Sequence, residues 1–285
     1  MKRSLVYLFI AVASAGALFS CKKEKEESDL KAVFSYVADG YKVNFTNFST
    51  NATEYSWDFG DGSGLTSTAK TPEHVFTRKG DFLVSLTAKN ANGTSIFKDT
   101  VSIIGPNIKI DGDYSDWKYV PYTYENAAGY SSSVRAVKAF ASSDAIYFYF
   151  EGNANMNMEI IDIYMDADNN VTTGFNTWYY PVHSGADYLI EGSPIGGWGD
   201  VFKHSGPQTA FSWTPVASFA DAMRFSALST SAGKKVIEFS IKRSVLGTTR
   251  NFIHFALVES TSGWAEVGKI PEAQTATSKF VEVQL

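Results

Sequence analysis

Cysteine is nearly missing from this chain: 285 residues contain one, Cys21. No intrachain disulfide can form, so every folded domain must be held by its core without a covalent staple. Histidine is scarce as well, at four residues, and no H-E-x-x-H pair, G-x-S-x-G elbow or glycine-rich phosphate loop occurs. That removes the zinc-protease, serine-hydrolase and nucleotide-binding patterns these motifs mark. Positive charge is in deficit, with 25 Lys and Arg against 30 Asp and Glu and a net charge of −5. A nucleic-acid partner therefore has no electrostatic support. Beyond the first twenty residues there is no long apolar run and no sustained helical period. Aromatic residues, by contrast, make up 15% of the chain. Short apolar segments rich in them, separated by Gly, Asn, Ser and Thr, predict an all-β protein.

The N-terminus carries Lys2 and Arg3, an apolar run from Leu5 to Phe19 and then Cys21. A basic start followed by a short apolar core is the layout of a secretory signal peptide. The run is shorter than the ~20 residues that span a bilayer. Leu18-Phe19-Ser20-Cys21 resembles a bacterial lipobox, which implies residues 1–20 as a lipoprotein signal peptide and Cys21 as the lipidated residue. A plain secreted protein is the alternative. Acyl chains contribute about 0.8 kcal/mol per buried CH₂, so two or more make a stable anchor. Residues 21–30 are highly charged, through Lys22-Lys23-Glu24-Lys25-Glu26-Glu27, and read as a solvated tether. That acidic stretch resembles the export signal of surface-exposed lipoproteins in Bacteroidota, implying an outer-membrane protein facing the cell surface; a spacer on a periplasm-facing lipoprotein is the other reading.

Alternation begins at Ala32-Val33-Phe34-Ser35-Tyr36 and returns in Phe82-Leu83-Val84-Ser85-Leu86-Thr87-Ala88, where every second residue shares one strand face. Tyr55-Ser56-Trp57-Asp58-Phe59-Gly60-Asp61-Gly62 resembles the hallmark of PKD domains. Pro72-Glu73-His74-Val75-Phe76, Gly80-Asp81-Phe82, Asn90 and Gly93 continue that pattern, so residues 31–104 are identified as a PKD domain, an Ig-like β-sandwich. Trp57 and Phe59 should enter its core, while Asp58 and Asp61 serve the turn rather than calcium. His74 belongs to the fold. The resemblance implies a spacer or adhesion role.

Gly105-Pro106-Asn107 breaks the pattern and opens a second domain over residues 107–285. Ile108-Lys109-Ile110-Asp111-Gly112-Asp113-Tyr114-Ser115-Asp116-Trp117, Asp144-Ala145-Ile146-Tyr147-Phe148-Tyr149-Phe150 and Val236-Ile237-Glu238-Phe239-Ser240-Ile241 resemble DOMON domains and family 9 carbohydrate-binding modules. The fold implied is a larger, jelly-roll-like β-sandwich. Residues 176–232 match no motif. Asp166, Asp168 and Asn170 place three oxygen ligands at alternate positions, as a structural calcium site would. Val171 and Thr177 stand where an EF-hand needs Gly and Glu, so the choice is between a strand-end calcium site and an Asx-rich turn.

Five of the six Trp lie in this domain. Asn176-Thr177-Trp178-Tyr179-Tyr180 and Gly196-Gly197-Trp198-Gly199-Asp200 pair flat rings with polar groups, as sugar faces and hydroxyls require. Trp178, Tyr180, Trp198 and Asp200 are the carbohydrate-binding candidates, with burial in the core as the competing fate for each ring; Trp117 should pack inside. No catalytic residue is assigned. Glu151 with Asp187 or Glu191 could flank a glycosidic bond only if the fold brings them together. Haem-binding DOMON relatives imply Met156, Met158, Met165 and His183 as ligands, although no cofactor is required here. The expected function is a membrane-anchored, surface-displayed, non-catalytic protein binding a polysaccharide or oligosaccharide, with the PKD domain as spacer. The alternatives are a structural component contacting other envelope proteins, and a glycoside hydrolase.

Overall fold

The computed structural model describes residues 29–180, 184–272 and 277–285, so Cys21, most of the charged tether and His183 lie outside the described residues. The chain is all-β. Its first unit contains β1 (Phe34–Asp39), β2 (Lys42–Asn47), β3 (Glu54–Asp58), β4 (Thr66–Ser67), β5 (Glu73–Val75), β6 (Gly80–Asn90) and β7 (Gly93–Ile103). These form a three-stranded sheet, β1-β2-β5, and a four-stranded sheet, β4-β3-β6-β7. Phe82, Val84, Leu86 and Ala88 are all buried while the residues between them face outward, as their alternation requires.

The aromatic-acidic turn explains itself physically. Trp57 is fully buried and its Nε1 donates to the Ala69 carbonyl at 2.9 Å. Asp58 Oδ1 accepts from the Gly60 amide at 3.0 Å, and Asp61 Oδ1 from Ser63 at 2.9 Å, two Asx turns in succession. Gly60 has φ +68°, and a Cβ there would stand 2.3 Å from the Leu83 carbonyl oxygen, so no other residue fits. Asp61 Oδ2 lies 2.7 Å from His74 Nε2, and the His74 ring stacks on Phe59 with centroids 3.9 Å apart. His74 is a buried turn clamp.

The second unit contains β8 (Tyr124–Glu125), β9 (Val134–Ala141), β10 (Ala145–Gly152), β11 (Ile160–Asp166), β12 (Tyr188–Ser193), β13 (Trp198–His204), β14 (Trp213–Ser218), β15 (Met223–Phe225), β16 (Ser229–Ser231), β17 (Lys234–Lys242), β18 (Phe252–Ser260), β19 (Glu266–Ile270) and β20 (Val281–Gln284). One sheet runs β15-β17-β10-β9-β8 with β16 also on β17; the other runs β14-β13-β12-β11-β18-β19 with β20 also on β18. Phe148, Phe150, Phe239 and Phe255 interlock between them, at centroid distances of 4.9 to 6.2 Å. Met156, Met158 and Met165 are buried in this same core.

The opening segment crosses the outer face of the six-stranded sheet. Trp117 is buried there, as its sequence position suggests, and donates from Nε1 to Glu238 Oε2 at 2.8 Å. Glu238 Oε1 accepts the amides of Asp111 and Gly112 at 3.0 and 2.7 Å. The same apolar cluster continues into the PKD unit through Phe140, Tyr149, Tyr41 and Val43. Lys79 Nζ reaches the Ala141 carbonyl at 2.8 Å across that junction. The two sandwiches are packed directly on one another.

Candidate functional site

The outer face of the seven-stranded sheet positions the site. Ile161, Ile163, Tyr188, Ile190 and Val201 point into the core, so the residues alternating with them point outward. Cross-strand register then places Asp200, Glu191, Asp162, Val258 and Lys269 in one row across β13, β12, β11, β18 and β19. With strands about 4.8 Å apart, the three acids span roughly 10 Å.

Asp162 and Glu191 are direct cross-strand partners. Burial, then the charge of Glu191 and a hydrogen bond to it, push the Asp162 carboxyl up to about 7. Burial also raises Glu191, whereas the hydrogen bond from Asp162 holds it down. Asp162 Oδ1 is buried with no hydrogen-bond partner among the described residues. At the far end of the row, Lys269 is ion-paired with Glu266 and its Nζ lies 5.0 Å from the centroid of the Tyr179 ring.

An aromatic cluster borders this row. The segment between β11 and β12 folds over the sheet, burying Phe175 and Tyr180 against Tyr164, Leu189 and Ala256. Above them, Trp178 is 62% exposed and Phe211 53%, with ring centroids 5.8 Å apart at 45°. Phe175 supports both from beneath, at 5.8 and 5.4 Å. Trp213 stands edge-on to Phe175 and Phe211, and its Nε1 is buried without a partner among the described residues. Holding two large rings open to solvent on a packed base is costly for folding alone and suits stacking against a flat ligand.

Trp198, 53% exposed, opens β13 at a glycine-rich hairpin, two residues from Asp200 and on the same strand face. Tyr180 departs from expectation. It is fully buried and its hydroxyl donates to the Pro271 carbonyl, so it has no face to offer a ligand. The adjacent Tyr179 is half-buried instead, with its ring against Lys269. Trp264 is exposed at the β18–β19 turn.

At the end of β11, carboxylate oxygens of Asp166, Asp168 and Asp187 lie within 4.8 Å of one another. Asp187 joins from just before β12, a residue the local spacing did not point to. Burial, only partly offset by the Asn170 amide, raises Asp166 to about 6, with Asp187 and Asp168 adding repulsion. Asn170 Oδ1 turns away, accepting from the amide and hydroxyl of Thr172 at 3.1 and 2.7 Å. So the metal set drawn from sequence is altered: Asp166 and Asp168 meet, Asn170 caps its own turn, and Asp187 stands as the third acid. These hard oxygens suit calcium, although three carboxylates also need the carbonyls or waters that complete its shell.

Glu151 does not meet Glu191 or Asp187. It lies on β10 in the opposite sheet, hydrogen-bonded to Tyr122 at 2.8 Å and ion-paired with Lys234. The carboxylate pair the site does contain, Asp162 and Glu191, joins adjacent strands and was not singled out from sequence. A lone Asp between two isoleucines marked an outward strand position, but only cross-strand register supplies its partner.

Comparison with known proteins agrees with the first unit. Residues 29–98 match the PKD domain family. The chain is similar to Collagenase ColA of Bacillus cereus, 34% identical over 68 residues, which is 24% of this chain and 7% of that protein's length. The PKD1 domain of the Vibrio cholerae metalloprotease PrtV is 30% identical, covers 26% of this chain and 95% of its own, and has a TM-score of 0.25. A family 9 carbohydrate-binding module from Caldicellulosiruptor kristjanssonii, solved with cellotriose, is 14% identical, covering 63% of this chain and 89% of its own, with a TM-score of 0.37. The chain therefore carries a PKD domain, followed by a larger all-β sandwich whose outer face holds the acidic row and the exposed rings.

Proposed function

We propose that this protein is a non-catalytic glycan-binding lipoprotein, anchored through Cys21 and displayed at the cell surface, with the PKD domain as its spacer. The observation that carries the reading is the pairing of exposed Trp178, Phe211 and Trp198 with the outward row Asp200, Glu191 and Asp162. Sugar C–H faces stack on such rings, and carboxylates accept hydrogen bonds from sugar hydroxyls. A binding role is favoured over hydrolysis because Asp162 and Glu191 are held to one another in the sheet floor, with Asp162 Oδ1 buried, rather than set on either side of a bond to be cut. The packed junction between the units makes the spacer stiff, so the binding face is held at a fixed attitude to the PKD domain.

Affinity electrophoresis of residues 29–285 through gels containing neutral polysaccharides tests this. Retardation should appear in at least one gel and fall at least about tenfold in affinity in a Trp178→Ala, Trp198→Ala double variant. Equal mobility of both proteins in every gel would sink the proposal. Anchoring is tested separately: growth with labelled palmitate should label the wild type and not Cys21→Ser.

A further inference from the structure

A cavity lies elsewhere, where β8, β9 and the adjoining ends of β10 and β17 meet β19 of the other sheet. Its volume is about 560 Å³, inside the roughly 300–1,000 Å³ of small-molecule sites. It shares no lining residue with the acidic row or the exposed rings.

Its walls are built from buried polar groups. Asn126 is 7% exposed, and its Nδ2 donates to the carbonyls of Val134 and Lys269 at 2.9 and 2.8 Å. Those two bonds fix the carboxamide, and its Oδ1 is buried with no hydrogen-bond partner among the described residues. A buried acceptor left unpaired is unfavourable by about 1–3 kcal/mol, which marks this wall as polar and tightly packed. Glu151, 5% exposed, contributes a second acceptor, its carboxylate already oriented by Tyr122 and Lys234. Arg135 is braced by the Tyr130 and Ala127 carbonyls, which keep its fork in place.

Charge decides the class of ligand. The lining holds Glu125 and Glu151 against Arg135 and Lys234, so the cavity has no net formal charge. Fixed donors and acceptors around a neutral, polar space suit a compact molecule with many hydroxyls. An anion would meet Glu151, and an apolar ligand would strand the buried polar atoms. We propose that this cavity is a second binding site, for a single neutral sugar ring or an equivalent polyol, independent of the polysaccharide face.

Saturation-transfer NMR on the full chain in detergent tests it, with methyl β-glucoside, methyl β-galactoside and methyl α-mannoside as probes. At least one glycoside should receive saturation from the wild type. Ser131→Trp places a ring at the cavity mouth from an exposed position, so folding is unaffected, and should weaken binding at least tenfold. Glu151→Gln should weaken it several-fold. The Trp178→Ala, Trp198→Ala double variant should bind these glycosides as the wild type does, while Ser131→Trp should keep its polysaccharide retardation, so the two sites can fail separately. No transfer to the wild type from any probe, or transfer undiminished in Ser131→Trp, overturns the proposal.

Discussion

Asp162 offers the sharpest test of the acidic row, through the substitution Asp162→Asn. In the unfolded chain this carboxyl titrates near the ordinary aspartate value, whereas burial and then Glu191 raise it to about 7 in the fold. A raised acid binds its proton more tightly when folded, so it adds no penalty below pH 4. From there stability is lost as pH rises, until the folded group ionises near pH 7. Each pH unit across that window removes about 1.4 kcal/mol, so the total approaches 4 kcal/mol as an upper bound. Relaxation of the site and water reaching the half-open row reduce it, and about 2 kcal/mol is the working expectation. Asparagine can donate the hydrogen bond to Glu191 without ionising. Urea unfolding of both proteins should therefore give equal stabilities at pH 4 and a gap in favour of Asp162→Asn that opens up to about pH 7 and then levels off. A gap independent of pH, or one that closes as pH rises, refutes the raised Asp162 carboxyl.

The remaining predictions concern other features. Glu238→Ala strands the amides of Asp111 and Gly112 and the Trp117 indole together, and should cost at least about 3 kcal/mol in denaturant unfolding. If Asp166, Asp168 and Asp187 hold calcium, then calcium at a hundred times its dissociation constant should stabilise the protein by about 2.7 kcal/mol. Asp187→Asn should remove that gain and Asn170→Ala should not, as read by thermal shift with and without chelator. Gly105→Ala would push a methyl to 2.4 Å from the Phe140 ring at a residue with φ +87°. It should loosen the junction between the two units, seen as a larger radius of gyration in small-angle scattering.

Much of this protein could be read along the chain because its signals are local. The alternation of Phe82, Val84, Leu86 and Ala88 fixes a strand face at period two, and the Trp57–Gly62 turn depends on neighbours a few residues away. Both the all-β class and the PKD unit follow from such patterns. Exposure of Trp198 was suggested by its flanking glycines, which have no side chains to cover a ring. The fate of Tyr180 was different: it and Trp178 look alike in sequence, and only the fold of their segment over Tyr164 and Leu189 buries one and exposes the other. Asn170 likewise fits the spacing of a ligand, yet local hydrogen bonds to Thr172 claim its oxygen, while Asp187 arrives from just before the next strand. The row Asp200–Glu191–Asp162 and the Asn126 cavity are matters of register and of sheet edges meeting. Such contacts join residues far apart in sequence, and their geometry exists only once the sheets have paired and packed.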